Sequence, residues 1–363
     1  LTKVDNPAPL GDITIEPDGL SRMTAQTDGK GQKTQYEYDD LDRVDKILFA
    51  DGKVVDYTYD RDGNLTRIVD PTGITTLTFD RFGRMTGKSA PNAAAMSYTY
   101  DANGNLATFT DGGGTVTYAY NAVNLVTSVT EPGSTGPITM SYDDNNRRTF
   151  MYLPTTPRIT VEMKYDKAGR QTSIVATNDS TKAKLTSFTY SYTKGGEDTA
   201  LRQSVTDLTG TTNYSYDKLN RLIGTSGALS RSYGYDENYN RTSKTEGGTD
   251  TSYTYNDAHQ LTKAGATTYS YDANGNTTGS SSGWAFDYNA VNNQTTSITA
   301  PGGNPLTAAY GGADQTERRS VGLVTFATSA LGVSSATGAG VGTGAPVTAD
   351  TVHPGAGQTH YYT

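Results

Sequence analysis

The chain has 363 residues, a formal charge of −8, three histidines and no cysteine. Disulfides, thiolate metal sites, a cysteine nucleophile and a histidine-rich metal centre are thereby excluded. Acidic and basic residues are mixed without a basic block, so no nucleic-acid partner is expected, and there is no run of roughly eighteen apolar residues to form a membrane span.

Hydrophobic residues make up 34% of the chain, low for a packed domain. Tyrosine is the outlier, with 26 copies against 8 phenylalanines and 1 tryptophan, beside 40 glycines. Tyrosine, threonine and valine favour strands, whereas Gly, Asn and Asp favour turns. An all-β fold with many tight turns is expected.

Residues 1–12, with Pro7 and Pro9, read as a connection from a preceding segment. The chain begins at Leu1 without a charged-then-apolar leader, and the expectation is a section of something longer. A repeat then begins. Its first, degenerate copy is Ile13-Thr-Ile15-Glu-Pro-Asp-Gly-Leu-Ser-Arg-Met23. Clear copies follow at Tyr57-Thr-Tyr59-Asp-Arg-Asp-Gly-Asn-Leu65, Tyr98-Thr-Tyr100-Asp-Ala-Asn-Gly-Asn-Leu106, Tyr214-Ser-Tyr216-Asp-Lys-Leu-Asn-Arg-Leu222 and Tyr269-Ser-Tyr271-Asp-Ala-Asn-Gly-Asn-Thr277. The second aromatic recurs at Tyr38, Tyr59, Phe79, Tyr100, Tyr120, Tyr142, Tyr165, Tyr192, Tyr216, Tyr235, Tyr255, Tyr271, Tyr288 and Tyr310. Fourteen copies at steps of mostly 19 to 24 residues mark a repeat architecture.

Each unit has a physical reading. An aromatic-x-aromatic pair has period two, so both rings lie on one face of a strand. Asp-x-x-Gly-Asn reads as a hairpin turn: Asn-Gly supplies the positive φ angles of a type I′ turn, and Asp accepts turn N–H groups. The following apolar segment, as in Leu65-Thr-Arg-Ile68, restarts a strand, and a second turn such as Asp70-Pro-Thr-Gly73 or Asp111-Gly-Gly-Gly114 leads to the next pair. The residues expected to define the repeat are structural: Tyr38, Asp39, Tyr59, Asp60, Gly63, Tyr100, Asp101, Gly104, Tyr120, Tyr142, Asp143, Tyr165, Asp166, Gly169, Tyr216, Asp217, Tyr235, Asp236, Tyr255, Tyr271, Asp272, Gly275 and Tyr288.

Fourteen hairpins at roughly 4.8 Å per strand would make a strip on the order of 130 Å long. Such a strip does not stay flat; it twists and coils, and successive coils can protect one another's edges. The rhythm loosens at 145–160 and 193–204, expected as longer loops between hairpins and not as domain boundaries. Residues 334–358, rich in Gly, Ala, Ser and Thr, are expected to form a loop.

The chemistry-bearing residues are weighed against this repeat. Asp101-Ala-Asn103-Gly-Asn105 and Asp272-Ala-Asn274-Gly-Asn276 begin like a calcium loop, but glycine stands at the fourth position and no Glu at the twelfth, so they read as turns. Asp70-Pro71-Thr72-Gly73 also reads as turn chemistry. His259 occupies a repeat turn and reads as exposed, and a serine triad would need a histidine. The Asp after each tyrosine recurs too regularly to single out an acid–base pair. Trp284, in Trp284-Ala-Phe286-Asp-Tyr288, reads as sheet packing, with a sugar platform as the sharper alternative. No catalytic, cofactor-binding or metal site is assigned.

These residues resemble the YD repeat of RHS proteins, also found in the C component of insecticidal Tc toxins, in bacterial wall-associated proteins and in animal teneurins. The resemblance covers roughly residues 13–310. It implies a spiralling β-sheet that encloses a cavity and, in the bacterial toxin members, sequesters a variable C-terminal toxin. Tyr310-Gly-Gly-Ala-Asp-Gln-Thr-Glu-Arg-Arg-Ser320 resembles the last degenerate repeat before the family's core region, and Phe326-Ala-Thr-Ser-Ala-Leu331 and His360-Tyr-Tyr-Thr363 resemble its strands. Within the family, the Asp-Pro pair that serves autoproteolysis lies beyond such segments, and no residue here inherits that role.

The expected organisation is a connection at 1–12, a repeat array at 13–320 and the start of a core region at 321–363. The expected function is a section of an encapsulating shell, exported or at the surface of a bacterial cell, and not an enzyme. Its expected partners are the rest of its own polypeptide with an enclosed effector, and a delivery apparatus. The alternative is an adhesive or carbohydrate-binding surface scaffold. Aromatic and amide side chains are abundant enough to serve it, and glycans would then be the partner.

Overall fold

The computed structural model describes the backbone of residues 2–322, except 92, 292 and 314, and of the strands at 324–329, 332–338, 351–355 and 358–361; side chains are described to residue 322. Every regular element among the described residues is a strand. No helix there is long and apolar enough to cross a membrane, which says nothing of a β-barrel. Two compact units are present. Unit 1 comprises 1–99, 109–115 and 255–363, and unit 2 comprises 100–108 and 116–254. The divisions fall inside or beside strands, not at 145–160 or 193–204.

Within each unit, consecutive strands pair antiparallel. In unit 1, Val54–Tyr59 pairs with Leu65–Asp70, which pairs with Gly73–Phe79 and then Met85–Ser89. In unit 2, Ile138–Tyr142, Arg148–Leu153, Ile159–Tyr165 and Gln171–Asn178 run the same way. The loop expected at 145–160 therefore contains strand Arg148–Leu153. The one expected at 193–204 holds a small hairpin, Thr193–Lys194 against Glu197–Asp198. Apolar and β-branched residues at period two give these segments one inward face, and Gly73–Phe79, Gly114–Tyr120 and Gly210–Tyr216 share the same alternating burial pattern.

The repeat turn differs from the expected type I′. In Asp60–Asn64 the Gly63 amide donates to the Asp60 carbonyl (3.2 Å), and the Asp60 amide donates to the Asn64 carbonyl (3.0 Å). Only Gly63 has positive φ, +89°. This is a type I turn closed by one left-handed residue, the G1-bulge form of a hairpin. The left-handed position is the fourth of the turn, which explains why Gly or Asn stands there: Gly104, Asn124, Asn146, Gly169, Asn220 and Gly275 all have positive φ. Two consecutive positive-φ residues, as type I′ requires, occur instead at Gly195-Gly196 and Gly247-Gly248.

A further irregularity recurs beside many of the Tyr-Asp turns. Tyr59 faces Leu65, whereas Thr58 faces Arg67, leaving Thr66 as an extra residue. The same shift leaves out Thr127 opposite Ala119 and Tyr120, and Thr149 opposite Ser141 and Tyr142. The Thr66, Thr127 and Thr149 hydroxyls each donate to the carbonyl across the bulge (3.1–3.3 Å). Each such bulge raises the local right-handed twist.

Unit 1 holds a buried hydrophobic cluster. Phe49, Val55, Tyr57 and Ile68 are buried together, packed by Val44, Ile47, Leu65 and Leu77 and by Val291 and Ala313 from far along the chain. Burying one such side chain contributes roughly 1.5–3 kcal/mol. The Gly/Ala-rich segment expected as a loop at 334–358 is strand at Gly332–Gly338 and Thr351–Gly355, while 339–350 lies outside the described residues.

Candidate functional site

The expected repeat residues form a physical relay. In most of these turns an Asp carboxylate caps the backbone and holds the side chain four residues on, while Asn121 and Asn256 take the Asp position in two others. Asp39 Oδ1 accepts from the amides of Leu41 and Arg43 (2.9 and 3.0 Å), and Oδ2 accepts from Arg43 Nε (2.7 Å). Asp143 with Arg147, Asp166 with Arg170 and Asp217 with Arg221 repeat the arrangement. Asn replaces Arg opposite Asp60, Asp101, Asp236 and Asp272. The side-chain donors of Arg43, Asn64, Asn105 and Arg147 hold their Asp partners below the usual carboxylate range. At Asp217 the Arg221 amide leads this effect. At Asp166 and Asp272 partial burial pushes the carboxyl up, and the donors of Arg170 and Asn276 outweigh it.

The arginine then reaches the next repeat. Arg43 stacks over the Tyr59 ring at 4.3 Å, Arg147 over Tyr165 at 4.7 Å and Arg221 over Tyr235 at 5.1 Å. Each tyrosine hydroxyl donates back to the first carbonyl after the previous turn. Tyr38 reaches Met23, Tyr59 reaches Val44, Tyr120 reaches Leu106, Tyr142 reaches Val126 and Tyr165 reaches Arg148. Tyr216, Tyr235, Tyr271 and Tyr288 do the same to Arg202, Leu222, Leu261 and Thr277. Tyr100 and Tyr255 end their strands at the corresponding position. The periodic Tyr and Asp were readable from sequence. The Asn four residues after Asp belonged to the expected Asp-x-x-Gly-Asn turn, whereas the Arg that replaces it in other copies was not singled out, although its recurrence was the available signal.

A second set of residues joins repeats far apart within unit 1. Asp70, read from sequence as a plain turn residue, is buried at 7% exposure. Its Oδ1 accepts from the Thr72 amide and hydroxyl (2.7 and 2.6 Å), and its Oδ2 accepts from the Gly312 amide (2.9 Å) and Gln315 Nε2 (3.0 Å). Partial burial pushes this carboxyl up, but the Thr72, Gln315 and Gly312 donors prevail and hold it low. Beside it, buried Lys88 meets Glu317 Oε1 at 2.6 Å, and buried Arg319 meets Glu317 Oε2 at 3.2 Å. The Tyr57 hydroxyl donates to the Ala313 carbonyl. Gly311 fits because a Cβ there would stand 2.8 Å from Arg319 Nε and 3.0 Å from Asp70 Oδ2.

A like contact forms near the N-terminus. Asn274 Nδ2 donates to Asp28 Oδ2 (2.6 Å), Lys30 Nζ lies 3.3 Å from Asp272 Oδ2, and the Gly11 amide donates to the Ala273 carbonyl (2.8 Å). Gly275 packs below Leu10, where a Cβ would approach Leu10 Cδ2 to 3.1 Å. The separation along the chain is similar at both places: 246 residues for Asp28–Asn274 and 242 for Asp70–Gly312.

Neither calcium-like segment gathers ligands. Asp101 Oδ1 and Asp272 Oδ1 accept turn amides instead. Among the described residues no group of three or more His, Asp or Glu could hold a metal ion. His259 is exposed at a turn position with φ +58°. Trp284 is 42% exposed and borders a cleft of about 750 Å³.

The Teneurin YD-shell family matches residues 153–297, and the RHS Repeat family matches 46–75, 59–95 and 100–136. No curated protein sequence matches. Among solved structures, the crystal structure of TcdB2-TccC3 aligns with a TM-score of 0.73 at 16% identity, covering 92% of this chain and 21% of that one. The Photorhabdus luminescens Tc holotoxin pore, carrying a TccC3 point variant, gives 0.73 at 15% identity, with 92% and 20% covered. This chain spans about a fifth of the length of the structures it matches. At such identity the likeness shows the fold alone. Residues 46–75, 59–95 and 100–136 thus carry RHS repeats, and 153–297 carry a teneurin-type YD-shell match.

Proposed function

We propose that the chain is a structural section of a β-shell that encapsulates a C-terminal effector of the same polypeptide for delivery. One observation carries this reading. Turns 242 to 246 residues apart meet through buried and half-buried hydrogen bonds at Asp70–Gly312 and Asp28–Asn274. A hairpin array that returns on itself after so long a path encloses space, and side-by-side coils shield strand edges from other chains. The structural residues expected from sequence, from Tyr38 and Asp39 to Tyr288, are the repeat-defining ones in this reading. Residues 13–320 are the array, and 321–363 begin a core region.

The shell role accounts for the weak apolar content, because a wall with water or cargo on one side needs no second packed face. Its partners are the remainder of the polypeptide, the enclosed effector and an export or delivery apparatus. The chain acts as a wall and not as an enzyme.

The test uses the parent polypeptide. It is purified by native size exclusion, and the peak is analysed by denaturing mass spectrometry and electron microscopy. Two or more fragments that co-elute from a hollow particle support encapsulation. A single uncleaved chain in a solid or rod-like particle overturns it.

A further inference from the structure

We propose that the two Asn-Gly steps of the chain are sites of spontaneous deamidation with opposite fates. Asn103 converts in the folded protein. Asn274 converts only after its contact with Asp28 opens, and the conversion then keeps that contact from closing again. Asn103-Gly104 and Asn274-Gly275 are the two such steps in the sequence, each inside Tyr-Asp-Ala-Asn-Gly-Asn. The chemistry needs only water. The glycine backbone nitrogen loses its proton and attacks the asparagine Cγ; a C–N bond forms, the bond to Nδ2 breaks and ammonia leaves. Water then opens the cyclic imide at either carbonyl, giving aspartate or isoaspartate. Glycine favours the attack because it has no Cβ to crowd the nitrogen.

The turn treats both steps alike. The Gly104 amide donates to the Asp101 carbonyl (3.1 Å) and the Gly275 amide to the Asp272 carbonyl (3.0 Å). Their φ angles are +89° and +88°. Surroundings, not local conformation, therefore separate the two. Asn103 is exposed in unit 2, and its Nδ2 makes only a long bond of 3.4 Å to Asn124 Oδ1. In unit 1, Asn274 Nδ2 donates to Asp28 Oδ2 (2.6 Å) and Asn293 Oδ1 (2.9 Å), and its Oδ1 accepts from the Lys30 amide (3.0 Å). Leu10 packs against Gly275, and the Gly11 amide holds the Ala273 carbonyl. Turning the Asn274 Cγ toward the Gly275 nitrogen breaks these side-chain bonds, which slows attack by at least about tenfold.

The products differ in consequence as well. At the place of Asn103 the repeat already uses an aspartate: Asp62 stands before Gly63 in the same turn and is exposed. At Asn274 the product replaces an amide donor with a carboxylate facing Asp28 Oδ2, across a gap now bridged at 2.6 Å. Two carboxylates at that range repel. The nearby ammonium, Lys30 Nζ, is already 3.3 Å from Asp272 Oδ2. A reversible opening thereby becomes permanent, and the intact contact is what delays it.

The full chain is incubated in mildly alkaline buffer, folded and in urea, and its peptides are mapped by mass spectrometry for the mass gain of amide hydrolysis. In urea the two steps should convert at equal rates, because their flanking residues match. In the folded chain Asn103 should convert at least about tenfold faster than Asn274. Asp28→Ala, with its fold checked by circular dichroism, should close most of that gap. Hydrogen exchange of Asn274→Asp should rise at residues 28–30 and 273–276, while Asn103→Asp leaves unit 2 unchanged. The proposal is overturned by equal rates in the folded chain, by an Asn103 that stays intact, or by unchanged exchange at residues 28–30 in Asn274→Asp. Should Asp28→Ala fail to fold, the rates of the unaltered chain and the exchange of Asn274→Asp decide. None of these outcomes bears on cleavage and co-elution of the parent polypeptide, so the shell reading stands or falls separately.

Discussion

Unit 1 and unit 2 are made of the same repeat, yet they are held together differently. Among the described residues, nine of the eleven buried hydrophobic ones lie in unit 1: Ala25, Phe49, Val55, Tyr57, Ile68, Ala90, Met96, Tyr98 and Phe109. Unit 1 also holds the buried Asp70, Lys88 and Arg319 beside Glu317. Within unit 2 side-chain contacts link neighbouring hairpins, as where Arg170 donates to the Thr199 carbonyl 29 residues on. The relay of Asp, Arg and Tyr is thus a nearest-neighbour device, sufficient to propagate the array as in other repeat proteins. Packing between distant repeats is a separate contribution, present where the chain meets itself again.

The comparison can be broken or sharpened by experiment. Acid should produce the largest effect, because it acts on the turns of both units at once. The carboxyls of Asp39, Asp60, Asp80, Asp101, Asp143, Asp166, Asp217 and Asp272 are held below their ordinary value in the folded chain. Their contribution is complete above the unfolded pKa of about 3.9 and disappears as pH falls through the lower folded values. Urea midpoints from pH 7 to pH 2.5 should hold steady to about pH 4 and then collapse. A midpoint that rises below pH 4 contradicts the relay.

Asp70→Ala comes next. It leaves the Gly312 amide and the Gln315 side chain without their acceptor in a buried site, at a cost of about 3 kcal/mol. Hydrogen exchange should rise together in residues 57–75 and 312–319 and stay unchanged in 159–178. Uniform loosening of both units would erase the distinction drawn between them.

Removing one hydroxyl should matter less. Tyr142→Phe deletes the bond to the Val126 carbonyl and should lower stability by about 1 kcal/mol. An unchanged urea midpoint would reduce that bond to ornament. Smallest is a gain. Phe79 stands at the repeat position where other copies use tyrosine, with Leu65 as the first residue after the preceding turn. Phe79→Tyr should place a hydroxyl on the Leu65 carbonyl and add about 0.5 kcal/mol; a loss would mean that the site is too tight for the oxygen.

How far the sequence could be read varies with the range of the interaction. Strand and turn positions followed from period-two aromatics and from Asp, Gly and Asn, since both signals are local. The turn type was misjudged because Asn103-Gly104 satisfies the usual hairpin pattern, whereas only Gly104 has positive φ and the preceding residues form a type I bend. The bulge at Thr66 was hidden, because an extra residue alters pairing without altering composition. Asp70 looked like any Asp-Pro turn, and its second set of donors comes from Gly312 and Gln315, which no local pattern connects to it. Trp284 was read as sheet packing with an exposed platform as the alternative, and its 42% exposure emerged only once the hairpin was folded.

The sequence by itself determined the all-β class and the recurring step of the aromatic pair and its turn. These depend on contacts between residues close in the chain. Tertiary structure alone decided which repeats meet after some 242 to 246 residues and which charges are buried there. That outcome is the accumulated twist of many bulged hairpins, a sum of small rotations that no single repeat encodes.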